Sequence, residues 1–260
     1  MPFQDARVLV TGAASGLGAA LTARLRAEGA RVLATDLAGT APDGAHGYLR
    51  LDITSDDDWA HAVRHVEQEW GGLDVLVNNA GVAGGGRLDL ATLDEWRWIT
   101  EINLFGAVRG TRAFVPMFKR QRSGRIINVA SLAGLVHPAG MASYNAVKAA
   151  VVALTETTGH ELAAYGVHAH VVCPSYFRTN LMDSLQGADL ALGQTMSRLL
   201  HGSPDSADDI AAAVLEGVAR GDELIVPDGA ARSAYELKRA DRSAYDLMMR
   251  KQAAKLEETA

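Results

Sequence analysis

The chain has 260 residues, 48% of them hydrophobic, and a formal net charge of −6. That size and apolar content suit one α/β domain with a buried sheet, and the negative charge disfavours nonspecific nucleic-acid binding. The single cysteine, Cys173, excludes an intrachain disulfide, and no run approaches the roughly eighteen apolar residues of a membrane span.

Arg7-Val8-Leu9-Val10 is a short β-branched run that predicts a buried strand. It starts within a few residues of Met1, which leaves no room for a signal peptide, so a cytoplasmic location is expected. The run leads into Thr11-Gly12-Ala13-Ala14-Ser15-Gly16-Leu17-Gly18 and an amphipathic stretch, Ala19 to Glu28, stopped by Gly29. Strand, glycine turn and helix together make a phosphate site, because glycines admit the backbone to a pyrophosphate and the helix start offers free N–H groups. The glycine spacing does not fit G-x-G-x-x-G. Ala30 to Asp36 reads as a second strand ending in an acid. Asp36 lies 18 residues beyond Gly18, near the spacing at which an acid binds the adenosine ribose.

Residues 48–51 form a weak third strand, followed by Asp52 and by a helix capped by Ser55. The acidic run Asp56-Asp57-Asp58 looks like a metal site, but carboxylates are favourable at a helix start, and no metal is expected. Leu73–Val77 and Arg125–Val129 are the fourth and fifth strands. A long helix, Leu93 to Arg120, is expected between them, kinked near its end by Pro116. Ser143 to Tyr165 reads as the next helix, Val167–Val172 as the sixth strand and Leu224–Val226 as the seventh. The alternation predicts a Rossmann-type, doubly wound α/β fold: a mainly parallel seven-stranded sheet with helices on both faces, in a single domain over residues 1–260. His168, His170 and Cys173 are metal-ligand types, but strand alternation puts Cys173 on the opposite face from the histidines.

Tyr144 and Lys148 stand one helical turn apart, so both fall on one helix face. A tyrosine is a poor base near neutrality, with an ordinary pKa of about 10. A neighbouring positive charge favours the phenolate, and a hydroxyl such as that of Ser131 can hold the same substrate oxygen.

These segments resemble the short-chain dehydrogenase/reductase family, over about residues 5–227. Its Thr-Gly-x-x-x-Gly-x-Gly turn is Thr11 to Gly18, its Asn-Asn-Ala-Gly segment is Asn78 to Gly81, and its Asn–Ser–Tyr–Lys tetrad is Asn103, Ser131, Tyr144 and Lys148. The resemblance implies that Tyr144 takes the proton of a secondary alcohol while Ser131 fixes its oxygen. Lys148 lowers the tyrosine pKa and binds the nicotinamide ribose, and Asn103 holds through its carbonyl a water linking Lys148 to solvent. It places the dinucleotide on Gly12, Ser15, Gly16, Leu17 and Gly18 of the turn, on Asp36, on Asp52 and Ile53, and on Asn79, Ala80 and Gly81. Beyond these it touches Tyr144, Lys148, Pro174, Phe177 and Thr179.

The cofactor expected is NAD. Asp36 accepts both ribose hydroxyls, and a 2′-phosphate about 4 Å away would be opposed by roughly 4 kcal/mol per unit charge pair at an effective dielectric of about 20. Leu37, not a basic residue, follows it. Where the family usually shows Pro-Gly-x-Val-x-Thr, this chain reads Pro174-Ser175-Tyr176-Phe177-Arg178-Thr179, which narrows that corner. Substrate contact is expected from Ser131, His137, Met141, Tyr144, Ser175, Tyr176 and Leu181, beneath an apolar lid at 178–205.

The tail at 228–260 lacks the Asp-Gly-Gly ending common in acyl-carrier-protein ketoreductases and carries a basic, helical Tyr235 to Arg239. It contacts a partner subunit or covers the active site. The expected substrate is an apolar secondary alcohol, of which cyclic and hydroxysteroid-like alcohols are examples, or its ketone, handled by a homodimer or homotetramer without nucleic acid or membrane. Two alternatives stay open: a noncatalytic NAD-binding sensor, and a sugar-nucleotide epimerase or dehydratase.

Overall fold

β-branched runs bounded by glycines and acids become the strands of one sheet, in a computed structural model that describes residues 3–38, 47–187 and 189–258, the side chains of 190 and 191 excepted. In chain order the strands are β1 (Arg7–Thr11), β2 (Arg31–Asp36), β3 (Gly47–Arg50), β4 (Val75–Asn78), β5 (Gly124–Val129), β6 (Val167–Val172) and β7 (Leu224–Ile225). They are parallel throughout, in the order β3-β2-β1-β4-β5-β6-β7, as a Rossmann-type sheet requires. The order reverses between β1 and β4, and such a switch point opens a crevice at the strand C-termini.

Alternation along each strand feeds two cores. Val8 and Val10 of β1 pack with Leu21 and Leu25 of α1 (Gly16–Ala27) and with Val214 of α8 (Ala207–Arg220). Leu9 between them points to the other face, with Trp59 of α2 (Asp56–Trp70) and Phe114 and Phe118 of α4 (Gly106–Gln121). Ser55 caps α2 by accepting from Asp58 N at 3.2 Å, and Asp58 turns back to accept from Asp52 N at 2.8 Å. That backbone bond holds the Asp58 carboxyl below its usual range, so the acidic run serves the helix start.

Several boundaries differ from the sequence reading. α1 begins at Gly16, not Ala19, because the glycine turn itself forms its first turn. The single long helix divides into α3 (Leu93–Thr100), a π-helical turn (Glu101–Phe105) and α4, within which Pro116 lies. The wide turn closes with Gly106 N donating to Glu101 O, a bond that hydrophobic periodicity does not encode. α6 runs Ala142–Leu162, and residues 163–165 tighten into a 3-10 turn.

The tail forms α9 (Gly229–Ala240) and α10 (Arg242–Glu258); residues 259 and 260 lie outside the described residues, as does Ala188 of the expected lid. Of the two roles left open for this tail, the structure shows it against the chain's own site. Lys238 Nζ donates to Leu135 O at 2.6 Å, and Tyr245 Oη donates to Val136 O at 2.8 Å. Arg87 ties the far end. It donates from Nε to Asp189 at 2.9 Å, at the N-cap of α7 (Leu190–His201), and from a guanidinium nitrogen to Leu256 O at 3.2 Å.

The Asp189 side chain is only 1% exposed, so removing its cation strands a buried carboxylate. Arg87→Met is therefore expected to lower the melting temperature by several degrees and to speed proteolytic nicking within α7 and α10. A melting curve and a trypsin time course check this.

Candidate active site

The C-terminal ends of β1, β2 and β4 carry the first part of the site. Ser15 is the N-cap of α1, its side chain makes no capping bond, and no acid stands in the first turn. The helix start thus keeps free N–H groups and a positive end for an anion. Gly12 is left-handed, at φ +65°, and a Cβ there would lie 2.8 Å from Ala80 Cα. A Cβ on Gly18 would lie 2.0 Å from Gly12 O, so Gly18 is a packing glycine of the turn and not a lining residue. A Cβ on Gly16 would strike Thr179 Oγ1, at 2.6 Å. These clearances form a cradle that suits the pyrophosphate of a dinucleotide.

Thr11 buckles the cradle to the next segment. Its Oγ1 accepts from Asn79 N and Ala80 N, both at 3.0 Å, while Asn79 Nδ2 donates to Thr11 O at 2.9 Å. The Asp36 carboxylate closes the β2 side. It accepts from Ala14 N at 2.9 Å and Ala38 N at 3.2 Å, and lines the cleft beside Leu37, which is 57% exposed. Asp52 and Ile53 line the same cleft; Asp52 Oδ1 accepts from Thr54 N at 2.9 Å, and Ile53 O accepts from Trp59 Nε1 at 3.0 Å.

The second part rides on α6. Tyr144, Lys148, Val151, Thr155, Thr158 and Leu162 are all buried, a stripe with spacings of four and three that directs both functional side chains inward. Thr155 fixes this helix to the sheet: Asn128 Nδ2 donates to Thr155 Oγ1 at 2.9 Å, and Asn78 Nδ2 donates to Asn128 Oδ1 at 2.8 Å. Ser131 is placed by Leu132 N donating to Pro174 O at 2.8 Å.

Burial pushes the Tyr144 phenol up to about 12, against a hydrogen bond with Ser131 that lowers it. Lys148 is pushed down to about 8, again by burial. Its Nζ donates to Val129 O at 3.1 Å and stands 5.7 Å from the Tyr144 ring centre. The expected depression of the tyrosine pKa is therefore absent from the protein alone: burial of the phenol raises it, and the only lowering influence is the hydrogen bond with Ser131.

With NAD saturating, the rate of alcohol oxidation is expected to rise with pH between about 6 and 8. A phenolate base gains population as pH rises. The slope should bend above about 8, where Lys148 loses its charge. Steady-state kcat/KM between pH 6 and 10 tests this; a flat profile contradicts a titrating Tyr144.

Two cavities meet at these residues. The larger, about 630 Å³, is lined by Gly12, Ser15, Gly16, Leu17, Asp36, Asp52, Ile53 and Asn79 to Gly81, and by Lys148, Pro174, Phe177 and Thr179. The smaller, about 290 Å³, holds Met141 and Tyr176. Ser131, Tyr144, Ser175, Phe177, Thr179 and Leu181 line both. Five of the seven methionines, Met141, Met182, Met196, Met248 and Met249, surround the smaller one, an adaptable apolar wall.

Two expected residues stand elsewhere. Asn103 sits in the π-helical turn and lines neither cavity; its side chain clasps Val82, accepting from N at 2.8 Å and donating to O at 2.9 Å. Its side-chain carbonyl is thus taken by the β4–α3 segment. His137 also lines neither cavity. Its Nε2 contacts Gly134 O at 3.2 Å and its Nδ1 accepts from Lys238 at 2.7 Å, so it belongs to the seam between loop and tail. The His168, His170 and Cys173 group is likewise divided: His168 is exposed, His170 Nδ1 pairs with Asp222 O at 2.7 Å, and Cys173 is buried.

Sequence reasoning missed Asp228, which accepts from Ser175 Oγ at 2.6 Å and Ser175 N at 2.9 Å while capping α9. This is what the serine in place of the family's glycine is for. The signal available was an acid just ahead of a helical stretch. It also missed the lining residues of α10, whose signal was an i, i+3, i+4 stripe.

The profile of the short chain dehydrogenase family matches residues 6–189. The chain belongs to that family. Among its relatives, the 3-oxoacyl-[acyl-carrier-protein] reductase of Thermotoga maritima is 33% identical over 218 residues, 80% of this chain and 87% of the relative. The 3-alpha-(or 20-beta)-hydroxysteroid dehydrogenase of Mycobacterium tuberculosis is 37% identical over 183 residues, 67% of this chain and 70% of the relative. A short chain dehydrogenase/reductase from Burkholderia phymatum in complex with NAD superposes with TM-score 0.85 at 27% identity, covering 94% of this chain and 96% of that one. One from Burkholderia cenocepacia in complex with NADP gives 0.81 at 29%, covering 96% and 99%. This short-chain dehydrogenase is thus a member of an oxidoreductase family. No helix among its described residues is long and apolar enough to cross a membrane.

Proposed function

We propose that this short-chain dehydrogenase is an NAD-dependent enzyme that interconverts an apolar secondary alcohol, cyclic or hydroxysteroid-like, and its ketone. The observation that carries the reading is the meeting of a dinucleotide-sized cleft and a methionine-rich cavity at Ser131 and Tyr144. An alcohol in the smaller cavity puts its oxygen on those two hydroxyls, and its carbinol carbon toward the cleft. Tyr144 Oη takes the O–H proton, and Ser131 Oγ holds the oxygen. Lys148 holds the nicotinamide ribose and supplies positive charge beside the phenol. NAD, when bound, supplies the hydride acceptor and a second positive charge, which favours the phenolate against burial. Asn103 is a positioning residue, fixing the β4–α3 segment that walls the cleft.

The Asp36 carboxylate beside an exposed Leu37 supports NAD over NADP, since a 2′-phosphate there meets like charge and no compensating cation. The Met, Leu and Tyr wall built partly by α10 supports a compact free alcohol over a carrier-bound acyl chain. The test is NADH formation, read at its absorbance band, over a panel of apolar ring alcohols and hydroxysteroids. Turnover with NAD and little with NADP is the expected result. Dinucleotide binding without turnover of any alcohol or ketone in the panel would favour a sensor instead.

A further inference from the structure

α10 turns Tyr245, Met248, Met249 and Gln252 into the smaller cavity, at the i, i+3, i+4, i+7 spacing of one helix face. Leu256, one turn further on, continues the face and is buried with Met141 and Tyr144. These four tail residues line only the smaller cavity, and none of them belongs to the set shared with the larger one, which includes Ser131 and Tyr144.

On this wall one residue breaks the apolar pattern. The Tyr245 hydroxyl is already used, donating to Val136 O at 2.8 Å. Gln252 is half-buried, and its amide makes no hydrogen bond among the described residues. A leucine or methionine would continue the stripe without a polar group, whereas Gln252 brings a carboxamide to the lining of a largely apolar cavity.

The helix that carries the amide is also held in place. Seven residues before it, Tyr245 is pinned to the loop at Val136; four residues after it, Leu256 is pinned through its carbonyl to Arg87 at 3.2 Å. A side chain between two anchors on one helix presents its group at low ordering cost. A carboxamide offers two donors and an acceptor, so it can receive a ketone or a hydroxyl equally well.

We propose that Gln252 is a specificity-determining residue: it hydrogen-bonds a second oxygen function at the end of the substrate remote from the reacting carbinol. The preferred substrate is then an apolar alcohol oxygenated at both ends. This rests on the alcohol-dehydrogenase reading above and names the substrate class for it.

The test uses matched pairs of alcohols that differ only in the distal oxygen. One pair is 5α-androstan-3α-ol with its 17-ketone. A smaller pair is 4-cyclohexylcyclohexanol with its 4′-methoxy derivative. The full-length protein should favour the doubly oxygenated partner in kcat/KM in at least one pair. Gln252→Leu should shrink that preference by at least threefold, the range of a neutral hydrogen bond. The loss should fall on KM for the doubly oxygenated partner more than on kcat, a split that a merely structural role would not produce.

A wild-type protein without preference in either pair overturns the proposal, whatever the variant does. So does a Gln252→Leu preference altered by less than threefold. If neither pair is oxidised at all while dinucleotide binds, the dehydrogenase reading itself falls and the proposal with it.

Discussion

Tyr144→Phe is expected to lower kcat by at least ~10²-fold while leaving the affinity for NAD nearly unchanged, because general-base catalysis typically contributes that much or more. The substitution removes one oxygen and keeps the ring, which is buried in the cluster of Met141, Val147 and Leu192. Ser131 keeps its own acceptor role toward Ala133 N at 3.2 Å, and it lines both cavities, where water can take the place of the lost phenol oxygen. The cradle of the glycine turn and the Asp36 carboxylate lie on other strands and do not involve the phenol. Binding and chemistry should therefore separate. The measurements are kcat at saturating alcohol and NAD, and the NAD dissociation constant by calorimetry. A Phe variant that keeps more than about a tenth of the wild-type kcat refutes the base assignment.

Asp36→Ala combined with Leu37→Arg is expected to move the NADP-to-NAD ratio of kcat/KM by at least ~10²-fold, equivalent to about 2.7 kcal/mol. Alanine removes the charge that repels a 2′-phosphate, and arginine can bind the phosphate bidentately. The structure makes room for this change: Leu37 is 57% exposed at the rim of the cleft, so a guanidinium there stays solvated without displacing packed atoms. The variant also loses an acceptor for Ala14 N and Ala38 N, both near the rim, where water replaces it at small cost. The ratio is read with both cofactors on wild type and variant. A wild type that already uses NADP as well as NAD contradicts the reading of Asp36.

The parallel sheet was legible because its strands are continuous β-branched runs, punctuated by glycine and by acids. That pattern survives any tertiary context, since the strands are buried on both faces. The dinucleotide cleft was legible for a related reason: Gly12, Gly16, Gly18, Asn79 and Asp36 act where the chain itself turns, at strand ends whose order follows from chain connectivity. The Tyr144 and Lys148 pair was legible because four residues make one helical turn.

What escaped the sequence depends on where distant segments meet. The π-helical turn at Asn103 arises where that side chain clasps the Val82 backbone, 21 residues away, and no local pattern signals it. His137 was expected at the substrate because its loop borders the site; its left-handed backbone, φ +58°, instead presents it to Lys238 on the tail.

The amino-acid sequence by itself determined the fold class and the spacing of Tyr144 and Lys148, because local pattern sets each of them, and its resemblance to the short-chain dehydrogenases pointed to the other positions of the expected cleft and tetrad. Tertiary structure alone decided the protonation landscape and the shape of the substrate cavity. Burial, a property of the assembled core, sends Tyr144 up to about 12 and Lys148 down to about 8. The cavity wall is built partly by α10, which lies more than a hundred residues beyond Ser131 in the chain and is held there by the bonds of Arg87, Lys238 and Tyr245 and by the burial of Leu256.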